Sequence, residues 1–96
     1  MAREGDEEDL LMQGKRVYAD KNGSLTMAPG DYGQDPRDGT WYARPPVNKG
    51  HSGWLKNHQV TEHEDGTITV SPSILVEWGD GVTWHGFLER GIWRIC

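Results

Sequence analysis

From Lys15 onward, turn-forming residues recur every few positions and cut the chain into segments suited to short strands. Residues 16–19 read as a strand, 20–23 (Asp-Lys-Asn-Gly) as a turn and 24–28 as its return. Residues 29–36, with two prolines and two glycines, read as a loop. Asp38-Gly39 turns the chain into a strand over 40–44, which Pro45-Pro46 ends by withdrawing backbone donors. Residues 47–53 form the longest irregular stretch of the body and suit a functional loop. The last 40 residues are the most regular: strands over 57–63, 67–71 and 73–78, with Pro72 as an interruption, then 82–89 and 92–96. Thr, Val, Ile and Trp dominate them, as a pleated, half-buried surface requires.

Hydrophobic alternation sets the register of the first of these hairpins. A two-residue loop at Asp65-Gly66 would pair Glu64 with Thr67 and set Val60 opposite Ser71, stranding the valine on the polar face. A three-residue loop, with Gly66 in the left-handed region, pairs His63 with Thr67, Glu62 with Ile68 and Val60 with Val70. Val60, Ile68 and Val70 then share one face, and Thr61, His63, Thr67 and Thr69 the other. A slip of one residue inverts every side chain, so the three-residue turn is favoured. His58 then lies on the core side near Pro72, and His63 points outward.

These signals imply an all-β fold: a small antiparallel meander or open, barrel-like sheet over 15–96. Residues 1–14 stand apart as an acidic segment. Residues 6–13 can form two helical turns, with Asp6 as N-cap and Gly14 as stop, or remain a frayed tail. With 96 residues the chain makes one domain, and its hydrophobic fraction of 34% promises a thin core. Five tryptophans then either fill that core or mark a binding surface. No apolar run approaches the roughly 20 residues of a membrane span, and the acidic start has no signal-peptide character. One cysteine, Cys96, excludes a disulfide framework and points to a reducing cytoplasm. A net charge of −5 without a basic cluster argues against duplex nucleic acid as partner.

Classical chemistry finds little purchase. His58 and His63 fall on opposite faces of one strand, and no HExxH or paired Cys/His spacing is present, so no metal or other cofactor is expected. Ser71 and Ser73 flank Pro72 near His58, yet no nucleophile elbow accompanies them; hydroxyls satisfying backbone groups around the proline explain them better. The carboxylates scatter over turns, and no catalytic residue is assigned. The distinctive stretch is 37–56, where Arg37, Trp41, Tyr42, Arg44, Lys49, His51, Trp54 and Lys56 interleave with Asp38 as the sole acid. Indole, phenol and cation together can stack on a base and pair with a phosphate. Core packing of Trp41 and Trp54 is the competing explanation.

The segment from His58 through Asp65-Gly66-Thr67-Ile68-Thr69-Val70-Ser71-Pro72-Ser73-Ile74 to Val76, followed by Trp84-His85-Gly86-Phe87-Leu88-Glu89-Arg90-Gly91-Ile92-Trp93, resembles a group of small uncharacterised phage and prophage proteins. Some of these carry an ammonia monooxygenase label through naming drift. A larger bacterial family with a related SPSI segment is similar more distantly; its cysteines suggest a metal, and this chain has none at those places. The resemblance implies a phage setting in the host cytoplasm, where small acidic proteins often act in counter-defence.

The function expected from these readings is non-enzymatic capture of a small anionic, nucleotide-like signal. Trp41, Tyr42 and Trp54 would stack on it, Arg44, Lys49 and Lys56 would hold its phosphates, and His85 would donate a directed hydrogen bond, with His51 of the glycine loop in the same ligand-binding set. A homo-oligomer with pockets at its interfaces is expected, because so small a sheet encloses little alone. The alternatives are an acidic inhibitor that occludes a host effector and a metal-assisted hydrolase using His51, His58, His63 or His85. Trp78, Trp84 and Trp93 belong to the meander and are assigned to structure.

Overall fold

The computed structural model describes residues 11–47, 51–77, 79, 81 and 83–96. Among these the regular structure is all strand: β1 (Leu11–Gln13), β2 (Lys15–Arg16), β3 (Asp31–Gln34), β4 (Trp41–Ala43), β5 (Gly53–Trp54), β6 (Gln59–Glu62), β7 (Ile68–Glu77), β8 (Thr83–Glu89) and β9 (Ile92–Ile95). They form a five-stranded sheet in the order β1-β9-β8-β7-β6 and a four-stranded sheet in the order β2-β3-β4-β5. Neither closes into a barrel. No helix among the described residues is long and apolar enough to cross a membrane.

The β6–β7–β8–β9 meander follows the alternation of its sequence. Val60 pairs with Val70 and Glu62 with Ile68, and the His63 N–H donates to Thr67 O at 2.8 Å. Gly66 holds φ at 89°, the left-handed conformation the three-residue turn demands. The interruption expected at Pro72 is instead a bulge within one long strand. Val70 pairs with Leu88 and Ile74 with Gly86, so Ser71, Pro72 and Ser73 face Phe87 alone. A bulge tolerates the missing proline donor without ending the ladder.

Three other expectations are corrected. Leu11–Gln13, the end of the expected helix, is a strand pairing with β9 in the register Met12↔Trp93; residues 6–10 lie outside the described part. The turn at 20–23 forms, held by the Asp20 carboxylate accepting the N–H groups of Asn22 and Ser24 at 2.8 and 3.0 Å. Its expected return strand over 24–28 does not form. Instead β2 runs parallel to β3, with Arg16 opposite Tyr32, and Val17 N–H donates to Tyr32 O at 2.8 Å. β3 itself lies within the expected loop 29–36. Its glycines and flanking prolines hide it locally, and strands from either side supply its partners.

The core lies between the sheets. Tyr32, Ala43 and Leu55 from the smaller sheet and its exit meet Ile68, Val70, Ile74, Trp84, Leu88 and Trp93 from the larger one. Trp84 and Trp93 pack edge to face, with ring centroids 5.2 Å apart. Gly30 is the polar tie: its carbonyl accepts Trp93 Nε1–H at 2.8 Å and Lys15 N–H at 3.3 Å, while its own N–H donates to Arg44 O. Arg16 forms a second tie, donating from Nη1 to Glu62 Oε2 and to Gly66 O, each at 2.9 Å.

Candidate ligand-binding site

β4 and β5 pair with Tyr42 opposite Trp54, and Leu55 N–H donates to Trp41 O at 3.0 Å. Opposed residues of an antiparallel pair share a face, so Trp41 lies on the face of Ala43 and Leu55 and Tyr42 on the other. Trp54 is opposite Tyr42 but stands on the edge strand of the sheet, and it lines the same cleft as Trp41. Trp54 is 59% exposed; Trp41 is half-buried against the core. After Trp54 the chain makes a tight turn, His58 N–H donating to Leu55 O at 3.2 Å, and crosses to β6 in the other sheet. That crossing leaves an open cleft of about 380 Å³ lined by Trp41, Trp54, Leu55, Lys56, His58 and Val60, with Gly39 and Thr40 at one end. None of these described lining residues is Asp or Glu, although the whole chain carries −5.

Cations and rings are already paired at this place. Lys56 Nζ lies 5.1 Å from the Trp54 ring centroid. Arg16 stacks on both Trp41 and Tyr18, at 4.9 and 4.7 Å. His58 Nε2 is 3.1 Å from Ser73 O. A carbonyl can only accept, so Nε2 carries the proton. His58 Nδ1 is buried without a partner.

Of the residues singled out in the sequence, the cleft gathers Trp41, Trp54 and Lys56. Tyr42 faces away, over a pocket of about 190 Å³ shared with Leu25, Met27, Asp35, Arg37 and Ser52. Arg37 is committed to Asp35, through Nε at 3.1 Å and Nη2 at 2.9 Å; that side-chain contact, with the Arg37 N–H, holds the Asp35 pKa below the ordinary 3.8. Arg44 donates to Met27 O at 2.8 Å and keeps a buried, unpartnered Nε. His51 is exposed. His85 stands on β8 of the other sheet, opposite Leu75. Lys49 and Trp78 lie outside the described residues. Sequence reasoning missed Arg16, Val60 and the role of His58. Arg16 reaches Trp41 only through sheet packing, so no local signal marks it.

Two of the histidines meet at Ser73, His58 on its carbonyl and His85 on its hydroxyl, while His63 lies apart from them. His63 Nε2 pairs with Thr69 Oγ1 at 2.7 Å, and His85 Nε2 lies 3.0 Å from Ser73 Oγ. Ser73 and His85 do not line the 380 Å³ cleft, although Ser73 O contacts His58, which does. No group of three His, Cys, Asp or Glu among the described residues is placed to hold a metal. A larger cleft, about 460 Å³, opens at the β6–β7 hairpin tip, where Glu62, Glu64 and Asp65 join His63 and Arg90. Three carboxylates against one guanidinium make it hostile to an anion, so volume alone is a poor guide here. No family model, curated protein or solved structure matches this chain.

Proposed function

We propose that this protein is a non-catalytic binding module for a small, planar, anionic ligand of nucleotide type, acting as a phage-type accessory in host counter-defence. The observation that carries the reading is the cleft at the sheet junction, where Trp41, Trp54 and Lys56 line one space and no described lining residue is Asp or Glu. Indole faces accept a base with little regard to its edge, at roughly 1–3 kcal/mol per stacked ring. Lys56 supplies the point charge for a phosphate. The cleft is open to solvent, and a second copy of the chain closing over it belongs to the same reading.

Calorimetry against cyclic di- and trinucleotides, ADP-ribose derivatives and simple nucleotides tests this. Binding at tens of micromolar or tighter is expected, weakened roughly tenfold by Trp54→Ala. Absence of heat for the whole panel at that concentration ends the reading. The acidic hairpin tip is the observation that favours the alternative, an inhibitor presenting carboxylates to a basic groove. Glu64→Gln with Asp65→Asn would then weaken inhibition of the host effector.

A further inference from the structure

We propose that the junction cleft selects ligands carrying one phosphate on one nucleoside, a specificity that rests on the binding reading above. Two quantities on the structure set it. The first is room: about 380 Å³ is near the lower end of the range of roughly 300–1,000 Å³ in which small ligands are buried. One base with its sugar fits such a space, and in an open cleft a second base would project into solvent.

The second quantity is charge. Lys56 is the one Lys or Arg among the described residues lining the cleft. No described arginine lines the cleft: Arg16 is paired with Glu62, Arg37 with Asp35, and Arg44 donates to Met27 O. Among the described residues a second or third phosphate finds no further cation lining the cleft, and the Glu62 carboxylate stands two residues beyond Val60 on β6. Added phosphates therefore add charge without adding partners.

The Trp54–Lys56 contact shows how one phosphate is read. The Lys56 ammonium lies 5.1 Å from the Trp54 indole centroid, on the aromatic surface that a base would use. An incoming base takes that ring face, and the displaced ammonium is left one flexible side chain away to meet the phosphate attached through the sugar. A nucleoside without phosphate displaces the ammonium and offers it nothing. A monophosphate replaces the lost contact with a charge-assisted one.

Tryptophan-fluorescence titrations of the full chain with a nucleoside, its mono-, di- and triphosphate, and the matching cyclic dinucleotide read this order. The monophosphate should bind roughly tenfold tighter than the nucleoside, with no further gain for the di- or triphosphate. Lys56→Met should bring the monophosphate down to the nucleoside's affinity, and Lys56→Arg should keep the preference. Lys56 is exposed, and unchanged circular dichroism would show that each variant is folded. Affinity that climbs with each added phosphate, or a cyclic dinucleotide that binds tightest, overturns the single-phosphate selection while leaving nucleotide capture intact. Binding by none of the series overturns both.

Discussion

Trp93 and Trp84 offer a matched pair of perturbations, because their rings are equally buried but oppositely satisfied. Trp93 is 1% exposed and Trp84 4%. Trp93 Nε1–H donates to Gly30 O at 2.8 Å, whereas Trp84 Nε1 is buried with no partner. Replacing either by Phe removes similar ring volume, at about 1–2 kcal/mol of transfer and cavity terms. Trp93→Phe also breaks the bond that ties the two sheets, for about 1–2 kcal/mol more. The penalty stays in that range because Gly30 O retains Lys15 N–H at 3.3 Å. Trp84→Phe instead removes an unsatisfied donor, which returns about 1–3 kcal/mol. The net expectation is a loss of about 3 kcal/mol for Trp93→Phe and near zero for Trp84→Phe. For a domain of this size 3 kcal/mol lowers Tm by roughly 12–24 °C. Urea unfolding followed by far-UV circular dichroism, with unchanged m-values, measures both. If Trp84→Phe costs as much as Trp93→Phe, the argument from hydrogen-bond satisfaction is wrong.

Three further expectations follow from the packing and charges. A Cβ on Gly86 would collide with Arg94 O and come within 2.5 Å of Trp84 Cη2, whereas Gly79 has nothing within 4 Å; Gly86→Ala should cost about 1–3 kcal/mol or more in urea unfolding, and Gly79→Ala about 0.5 kcal/mol or less. Arg16→Ala should cost about 1.5–3 kcal/mol through its charged hydrogen bonds to Glu62 and Gly66 O; Glu62→Gln should cost less than about 1 kcal/mol because that carboxylate is half exposed. Asp20, Asp35 and Asp65 are held below 3.8, chiefly by Ser24 N–H, by the Arg37 side chain and by the Thr67 hydroxyl respectively. Depressed folded values stabilise the fold above the ordinary carboxylate range and lose that contribution as pH falls through them. The urea midpoint should therefore drop below about pH 4, and Asp35→Asn with Asp65→Asn should flatten the drop. Burial raises the Tyr32 phenol above 10.0, so its contribution is intact below that value and lost as pH rises through the folded one.

The readability of the chain varied with the distance between partners. The β6–β7 hairpin was legible to the residue, since three apolar side chains and one glycine choose between two registers that differ by a single step. β3 was not legible, because Pro29, Gly30, Gly33 and Pro36 are loop residues by every local criterion. Its strand character comes from Tyr32, buried to 1%, and from partners 16 residues upstream and in β4. The candidate site was half legible. Of the interleaved aromatics and cations of 37–56, Trp41, Trp54 and Lys56 line one cleft. Strand alternation then sends Tyr42 to the opposite face from Trp41, and packing commits Arg37 and Arg44 elsewhere.

What the amino acids determined by themselves was an all-β chain, its C-terminal meander and the turn that registers it. These depend on contacts a few residues apart, where turn chemistry and period-two alternation act directly. The tertiary structure decided how the sheets divide: β1 joins β9, β2 lies parallel to β3, and Gly30 and Arg16 tie the layers together. It also decided that the cleft opens where β5 passes to β6, and that Arg16 backs the indole of Trp41. Such pairings depend on which edges and faces meet once the core closes, and no local pattern in the sequence specifies that choice.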